Sequence, residues 1–221
     1  MTVRFRFIVL WAALLINVAF PLQAQDPLRF EKEVEELTSG DKSLNKKDII
    51  LFTGSSSIRM WSDMQSYFPG HNIVNRGFGG SETNDLLFYF DKIILPYKPK
   101  QIFIYEGDND LNSGKSAAEI LASSDILIEL IRKNVSEEVQ VFFISPKPSI
   151  ARWHLKAKYE NYNQQLKMWT AKQKYVTFID VWTPLLDQRG TVMKDIFLED
   201  GLHLNKKGYA IWAKVIGKFI R

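Results

Sequence analysis

The chain has 221 residues, of which 46% are apolar and 24% charged, with a formal net charge of +4. These values are ordinary for one globular domain that buries a core, and they exclude disordered and collagen-like chains. The sequence contains no cysteine, which excludes a disulfide framework and a lipid-modified amino-terminal cysteine. The lysines are scattered through helical segments instead of forming a basic stripe, so no nucleic-acid partner is predicted.

The amino-terminal segment has the pattern of a signal peptide. Arg4 and Arg6 precede an almost unbroken apolar run over residues 7–20, and Ala24 supplies a small residue for cleavage. The run is shorter than the roughly 20 residues that a membrane-spanning helix needs, which argues against a permanent membrane span. We therefore expect residues 1–24 to be removed and the mature protein to be periplasmic or secreted. Cleavage deletes two arginines and no acid, and so lowers the net charge from +4 to +2.

Five short apolar runs then alternate with segments long enough to form helices. Strands that alternate with helices favour a parallel sheet covered on both faces. Residues 25–221 are therefore predicted to form a single three-layer α/β domain with a five-stranded parallel sheet. The predicted strands are residues 49–53, 72–75, 101–105, 139–144 and 176–180.

Local signals place helices around these strands. Ser116 and Glu119 form a capping box that opens one helix, and Asn205 is placed as the N-cap of the last helix. Another helix is predicted over residues 159–174. Apolar residues at helical spacing mark two more helical faces: Phe30, Val34 and Leu37 before the first strand, and Leu86, Leu87, Phe90, Ile93 and Ile94 after the second.

The loop after the first strand is a tight turn with three consecutive serines, Ser55, Ser56 and Ser57, preceded by Gly54. Binding crevices of such sheets lie beyond the carboxyl ends of the strands, so a serine here is placed for chemistry. A helix N-terminus beside it favours developing negative charge. Small hydroxyl residues are also common helix caps, and the turn taken alone favours that interpretation.

Two further polar loops follow the second and third strands. Residues 75–81 contain three glycines in four positions, which let backbone N–H groups approach a ligand, although a simple loop has the same composition. Residues 106–110 form an acidic cluster, which suits a turn better than a divalent-cation site because no further ligand spacing accompanies it.

Near the carboxyl terminus, Asp200 precedes His203 by three residues. At this spacing the carboxylate can accept from one ring nitrogen and leave the other to take a proton from a serine. His71 and His154 have no aspartate at the same spacing and are interpreted as surface or packing residues.

In their order along the chain, these four motifs resemble the conserved blocks of the SGNH hydrolase family, also called GDSL-type esterases and lipases. Gly54-Ser55-Ser56 resembles the first block, residues 75–80 the second, residues 107–110 the third and residues 200–203 the fifth. The resemblance spans nearly the whole mature chain. It implies a flavodoxin-like fold and a carboxylic ester hydrolase.

Position by position, the resemblance implies that Ser56 is the nucleophile and that Asp200 and His203 complete a catalytic triad. It also implies an oxyanion hole formed by Ser56, Gly80 and Asn109, with no metal and no organic cofactor. The chain departs from the family pattern at Ser55, which stands where the first block usually has aspartate. That aspartate is not the acid of the triad, so we expect the chemistry to survive.

The substrate is less well specified by the sequence. Arg152 and Trp153 belong to a segment after the fourth strand that resembles a segment in part of the family, and we consider them as contacts to an anionic group and a sugar ring. A loop that only packs against the following helix is the alternative. An exported enzyme meets glycans, and no long apolar lid is present, so a short-acyl (acetyl) esterase on carbohydrate is the leading hypothesis.

Three other functions stay open at this point. The first is a lipase or lysophospholipase that acts on a small-molecule lipid ester. The second is a catalytically silent module that binds glycan, which only Ser55 favours. The third is a redox or nucleotide-binding flavodoxin-like protein, which the lack of a phosphate loop after the first strand argues against.

Overall fold

A computed structural model describes residues 26–221 and contains a five-stranded, all-parallel sheet with the strand order β2-β1-β3-β4-β5. The predicted five-stranded parallel α/β sandwich is confirmed. The predicted signal peptide lies outside the described residues. The strands are β1 (Ile49–Gly54), β2 (Asn72–Gly77), β3 (Gln101–Tyr105), β4 (Gln140–Ile144) and β5 (Val176–Ile179).

Helices cover both faces of this sheet. Between residues 26 and 221 no helix is long and apolar enough to cross a membrane. The α-helices of this part of the chain are α1 (Glu31–Thr38), α2 (Ser56–Arg59), α3 (Met64–Tyr67), α4 (Thr83–Phe88), α5 (Phe90–Ile93), α6 (Asp108–Asn112), α7 (Ala117–Asn134), α8 (Lys156–Thr170) and α9 (Lys206–Ile216).

The sheet separates two apolar layers, because successive side chains of a strand point to opposite faces. In β1, Ile49 and Leu51 join the layer that packs against α1, α4, α5, α7 and α8. Ile50 and Phe52 join the opposite layer, which packs against α2, α3 and α9. Because both faces are buried, β1 is a continuous apolar run instead of an alternating one.

Stacked phenylalanines hold the three central strands in register. Phe52, Phe103 and Phe142 are direct partners on β1, β3 and β4, with neighbouring ring centroids 4.5 Å apart. Stacked aromatic pairs add about 0.5–1.5 kcal/mol each beyond the burial of their area. With this register, the loops that follow β1, β2 and β3 meet at the carboxyl edge of the sheet.

The local helix signals hold with two adjustments. The capping box of Ser116 and Glu119 and the N-cap at Asn205 are confirmed. The helix predicted over residues 159–174 begins and ends earlier, as α8. The single helical face predicted between residues 86 and 94 is divided into α4 and α5, because the backbone leaves helical geometry at Tyr89. The hydroxyl of Tyr89 donates to the carbonyl oxygen of Pro27.

Candidate active site

The structure brings together the serine, histidine and aspartate singled out in the sequence. Ser56 is the first residue of α2, and His203 and Asp200 lie on the loop that leads into α9. The Oγ atom of Ser56 lies 2.9 Å from Nε2 of His203, and Nδ1 of His203 lies 2.6 Å from Oδ2 of Asp200. Three groups separated by as many as 147 residues thus form one hydrogen-bonded chain.

Of the three consecutive serines, Ser56 has the exposed hydroxyl. Ser55 and Ser57 are each 2% exposed, whereas Ser56 is partly exposed and faces His203. Ser55 occupies the N-cap position of α2, yet its side chain makes no capping hydrogen bond. The geometry therefore favours the chemical interpretation of this turn over helix capping.

Gly54 makes the turn before Ser56 possible. Its φ is +121°, and a Cβ atom on it would lie 2.1 Å from the carbonyl oxygen of Tyr105 on the adjacent strand. Two side chains then hold α2 from outside: Asn75 donates to the carbonyl oxygen of Ile58, and Tyr209 of α9 donates to that of Ser57. The helix that carries the serine is thereby fixed to β2 and to α9.

The loop before α9 orients the imidazole through Asp200. Oδ1 of Asp200 accepts from the backbone N–H groups of Leu202 and His203, which leaves Oδ2 for the imidazole. Partial burial raises the pKa of Asp200, but the hydrogen bonds from His203 and Leu202 outweigh it and lower that pKa to about 2. The carboxylate is therefore ionised at neutral pH and favours a proton on Nδ1, so that Nε2 can accept from Ser56.

Gly80 and Asn109 lie side by side on neighbouring loops. A Cβ atom built on Gly80 would lie 3.7 Å from Nδ2 of Asn109, and Nδ2 donates one hydrogen to the carbonyl oxygen of Ser81 at 2.9 Å. The second amide hydrogen of Asn109 has no acceptor among residues 26–221, and the backbone N–H of Gly80 has none either. Both donors are thus available to an oxyanion.

Arg152 is engaged within the protein, which favours a structural role over the predicted contact with an anionic group of the substrate. Its Nη1 donates to Oδ1 of Asp108 at 2.6 Å, and its Nη2 donates to Oδ1 of Asn109 at 3.0 Å. Only 13% of its side chain is exposed. Because Arg152 can donate only to the oxygen of the Asn109 amide, it sets the orientation that turns Nδ2 toward Gly80.

Trp153 also packs within the protein. Its ring stacks on Trp182 with an angle of 13° between the planes and a centroid distance of 6.2 Å. Nζ of Lys156 lies 5.3 Å from the centroid of the Trp153 ring. These contacts favour the alternative of a packed loop over a sugar-stacking role for this residue.

The acidic cluster at residues 106–110 is divided among separate partners. Asp108 pairs with Lys147, which is fully buried, and with Arg152, while Asp110 pairs with Lys115. Glu106 accepts from the hydroxyl of Ser81, and burial followed by the charge of Asp110 raises its pKa well above the usual range. Among the described residues, no group of three or more His, Asp or Glu side chains is placed to hold a metal ion.

Sequence reasoning missed the role of Lys147. The residue follows β4 by three positions, between Pro146 and Pro148, and nothing in the local sequence indicates that its side chain is buried. Its ammonium group donates to Oδ2 of Asp108 at 3.2 Å. Asp108 in turn binds Arg152, which donates to Asn109.

A parallel α/β sandwich with a serine, a histidine and an aspartate in contact at its carboxyl edge has the arrangement of serine hydrolases. The family model of GDSL-like lipases and acylhydrolases matches residues 50–211. The chain therefore belongs to the GDSL-like lipase/acylhydrolase family and is an ester hydrolase. This membership displaces the hypothesis of a redox or nucleotide-binding protein. Comparison with curated proteins finds no significant match.

Solved structures share the fold. A protein from Streptococcus pneumonia described as a candidate platelet activating factor is 24% identical, with a TM-score of 0.78 over 88% of this chain and 94% of the other. A GDSL-like lipase from Bacteroides thetaiotaomicron is 17% identical, with a TM-score of 0.69 over 88% and 97%. An acetylxylan esterase from Geobacillus stearothermophilus is 16% identical, with a TM-score of 0.62 over 79% and 94%.

Proposed function

We propose that this chain is an exported serine esterase that hydrolyses carboxylic esters through Ser56, His203 and Asp200. The observation that carries the proposal is the hydrogen-bonded chain from Ser56 Oγ to His203 Nε2 and from His203 Nδ1 to Asp200 Oδ2. A catalytically silent glycan-binding module has no need of this alignment.

In the first half of the reaction, His203 Nε2 takes the proton of Ser56 as Oγ bonds to the carbonyl carbon of the ester. The backbone N–H groups of Ser56 and Gly80 and the side-chain amide of Asn109 donate to the resulting oxyanion. The oxyanion then collapses, the bond to the alcohol breaks, and His203 returns its proton to the departing oxygen. An acyl group remains on Ser56.

In the second half, His203 takes a proton from water, and the oxygen of that water bonds to the acyl carbon. The bond to Ser56 Oγ breaks, Oγ regains the proton from His203, and the carboxylic acid leaves. Each oxyanion donor stabilises the transition state by roughly 3 kcal/mol. Because Asp200 stays ionised, the imidazolium that forms in each half is stabilised by an adjacent negative charge.

The test is the pair Ser56→Ala and Ser57→Ala, assayed on a short acyl ester. The two serines are neighbours, but only Ser56 contacts His203, so Ser57→Ala is the matched control. We expect Ser56→Ala to lose at least about 10³-fold in kcat and all covalent labelling by a fluorophosphonate, while Ser57→Ala keeps both. Full activity in Ser56→Ala would refute the mechanism.

We propose an acetylated carbohydrate as the substrate class. Export places the enzyme where glycans occur, and an acetylxylan esterase shares the fold. A longer acyl chain is the second candidate, and the place for it is a groove of about 660 Å³ beside α2 and the start of α9. The groove also has a polar lining, formed by Ser62, Asp63, Asn205, Lys206 and Lys207. Apolar Met60 and Leu198 line this groove; Met60 donates its N–H to the carbonyl of Ser56, and Leu198 donates to that of His203.

Two measurements test these finer proposals. The ratio of kcat/KM on acetylated xylo-oligosaccharides to kcat/KM on long-chain acyl esters separates the two substrate classes, and a ratio below one would favour the lipase candidate. Export predicts a mature protein that begins at Gln25. Mass spectrometry of the protein from its native host tests this, and an intact residue 1 would contradict it.

A further inference from the structure

The segment before β1 lies outside the part of the chain that the family model matches, which begins at residue 50. It nevertheless packs against the loop that carries Gly80. The segment consists of the short 3-10 helix Pro27–Phe30 and the helix α1. Its contacts link this segment to the oxyanion side of the proposed site.

The carboxylate of Glu33, on α1, binds the glycine loop directly. Oε1 of Glu33 accepts from the backbone N–H of Gly79 at 2.8 Å. The same oxygen lies 3.5 Å from Nε of Arg59, which ends the helix begun by Ser56. One carboxylate therefore contacts both the loop that carries Gly80 and the helix of the proposed nucleophile.

Phe30 holds the same loop from the side. Its ring meets Phe78 edge to face at a centroid distance of 5.3 Å. Gly79 has a φ of +34°, and a Cβ atom on it would lie 2.1 Å from Cε1 of Phe30. The backbone of Gly79 therefore packs against the Phe30 ring and is hydrogen-bonded to the Glu33 carboxylate.

Two consecutive backbone N–H groups of this loop differ in whether they have a hydrogen-bond acceptor. The N–H of Gly79 is taken by Glu33, while the N–H of Gly80 has no acceptor among residues 26–221. Glycine residues leave a backbone free to rotate, and a hydrogen bond to one amide removes much of that freedom from the next peptide unit. An oxyanion donor has to be oriented before the reaction to lower the barrier.

We propose that Glu33 is a positioning residue: by binding the N–H of Gly79, it holds the N–H of Gly80 in the orientation that meets the oxyanion. The inference rests on the proposed function of Gly80 as an oxyanion donor. The essential property of Glu33 is a hydrogen-bond acceptor at this place, and its charge and its ion pair with Arg59 are secondary.

The experiment compares Glu33→Met with Glu33→Gln, which keeps an acceptor oxygen but not the charge. The side chain is 32% exposed, so both variants are expected to fold. Glu35→Met on the exposed side of the same helix is the matched control, and Arg59→Gln removes only the ion pair. Each protein is assayed for kcat and KM on a short acyl ester and for Tm.

We expect Glu33→Met to lower kcat about tenfold, which is part of the ~100-fold cost of a lost donor, with KM changed less than about twofold. Glu33→Gln, Arg59→Gln and Glu35→Met should keep kcat within about twofold of the wild type. Equal kcat in Glu33→Met and the wild type overturns the inference. An equal loss in Glu33→Gln overturns it too, because charge would then be the essential property.

An activity-independent measurement separates this inference from the proposed function. Amide hydrogen exchange at Gly79, followed by NMR, should accelerate in Glu33→Met and stay unchanged in Glu33→Gln. Unchanged exchange in Glu33→Met overturns the positioning role even if the enzyme acts on another substrate. An inactive wild-type protein in which Glu33→Met does accelerate exchange instead refutes the function assigned to Ser56.

Discussion

The buried carboxylate of Asp108 forms ion pairs with two cations, Lys147 and Arg152. Its Oδ1 accepts from Arg152 and from the hydroxyl of Tyr159, and its Oδ2 accepts from Lys147 and from the hydroxyl of Tyr105. Burial raises the pKa of Asp108, but the charges of Lys147 and Arg152 outweigh it and hold that pKa well below its usual range. Asp108 is therefore ionised, with its negative charge facing two cations.

Replacing Asp108 by Asn keeps the shape of the side chain and removes the charge. Lys147, which is fully buried, then has no anion in contact, and burial already lowers its pKa. Breaking a buried ion pair by removing one partner costs about 3–5 kcal/mol. Against a total stability of about 5–15 kcal/mol, this loss brings the variant close to unfolding.

The assay is urea unfolding at pH 7, with Asp195→Asn as the matched control. Asp195 also pairs with a lysine, Lys207, but both side chains are more than two-thirds exposed. Solvent screens such a pair, so the control should unfold at the urea concentration of the wild type. If Asp108→Asn and Asp195→Asn shift the midpoint equally, burial of the charge is not the cause, and the reasoning is refuted.

The pH dependence of the stability tests whether the negative charge of Asp108 stabilises the folded state. A carboxyl group whose folded-state pKa is lowered contributes stability above its unfolded pKa, near 3.9, and loses it as the pH falls toward the folded pKa. Asp108→Asn lacks this titration. The difference in stability between the wild type and the variant should thus shrink from its value at about pH 5 as the pH falls below about 4. A difference that grows on acidification would contradict this.

Three further predictions concern the proposed site and its support. Asp200→Asn should keep the fold and lower kcat by about 10³–10⁴-fold, because the amide no longer favours the reactive tautomer of His203; steady-state kinetics and circular dichroism check this. Arg152→Met should lower kcat about tenfold with little change in KM, since Asn109 loses the bond that orients its amide, and Arg152→Lys should not restore it because lysine lacks the planar fork. Gly54→Ala should prevent stable folding, because its Cβ atom would meet a backbone carbonyl that cannot move aside; soluble yield and far-UV circular dichroism measure this.

Much of the fold followed from local patterns. Apolar runs of strand length, separated by helix-length segments, were enough to predict five parallel strands, because burial on both faces leaves a continuous apolar signal. The helix beginnings at Ser116 and Asn205 were also predictable, since a cap is a contact between residues two or three positions apart. The break at Tyr89 was not, because the apolar spacing of residues 86–94 is compatible with one continuous helix.

For the candidate site, the sequence by itself determined the four motifs and their order, and the resemblance they carry named Ser56, Gly80, Asn109, Asp200 and His203. Only the tertiary structure decided which serine faces His203, that Arg152 binds Asn109, and that Glu33 binds the N–H of Gly79. The physical reason is that these partners lie between 43 and 147 residues apart. Such contacts depend on the strand order and on the packing of helices at one edge of the sheet, which no local periodicity specifies.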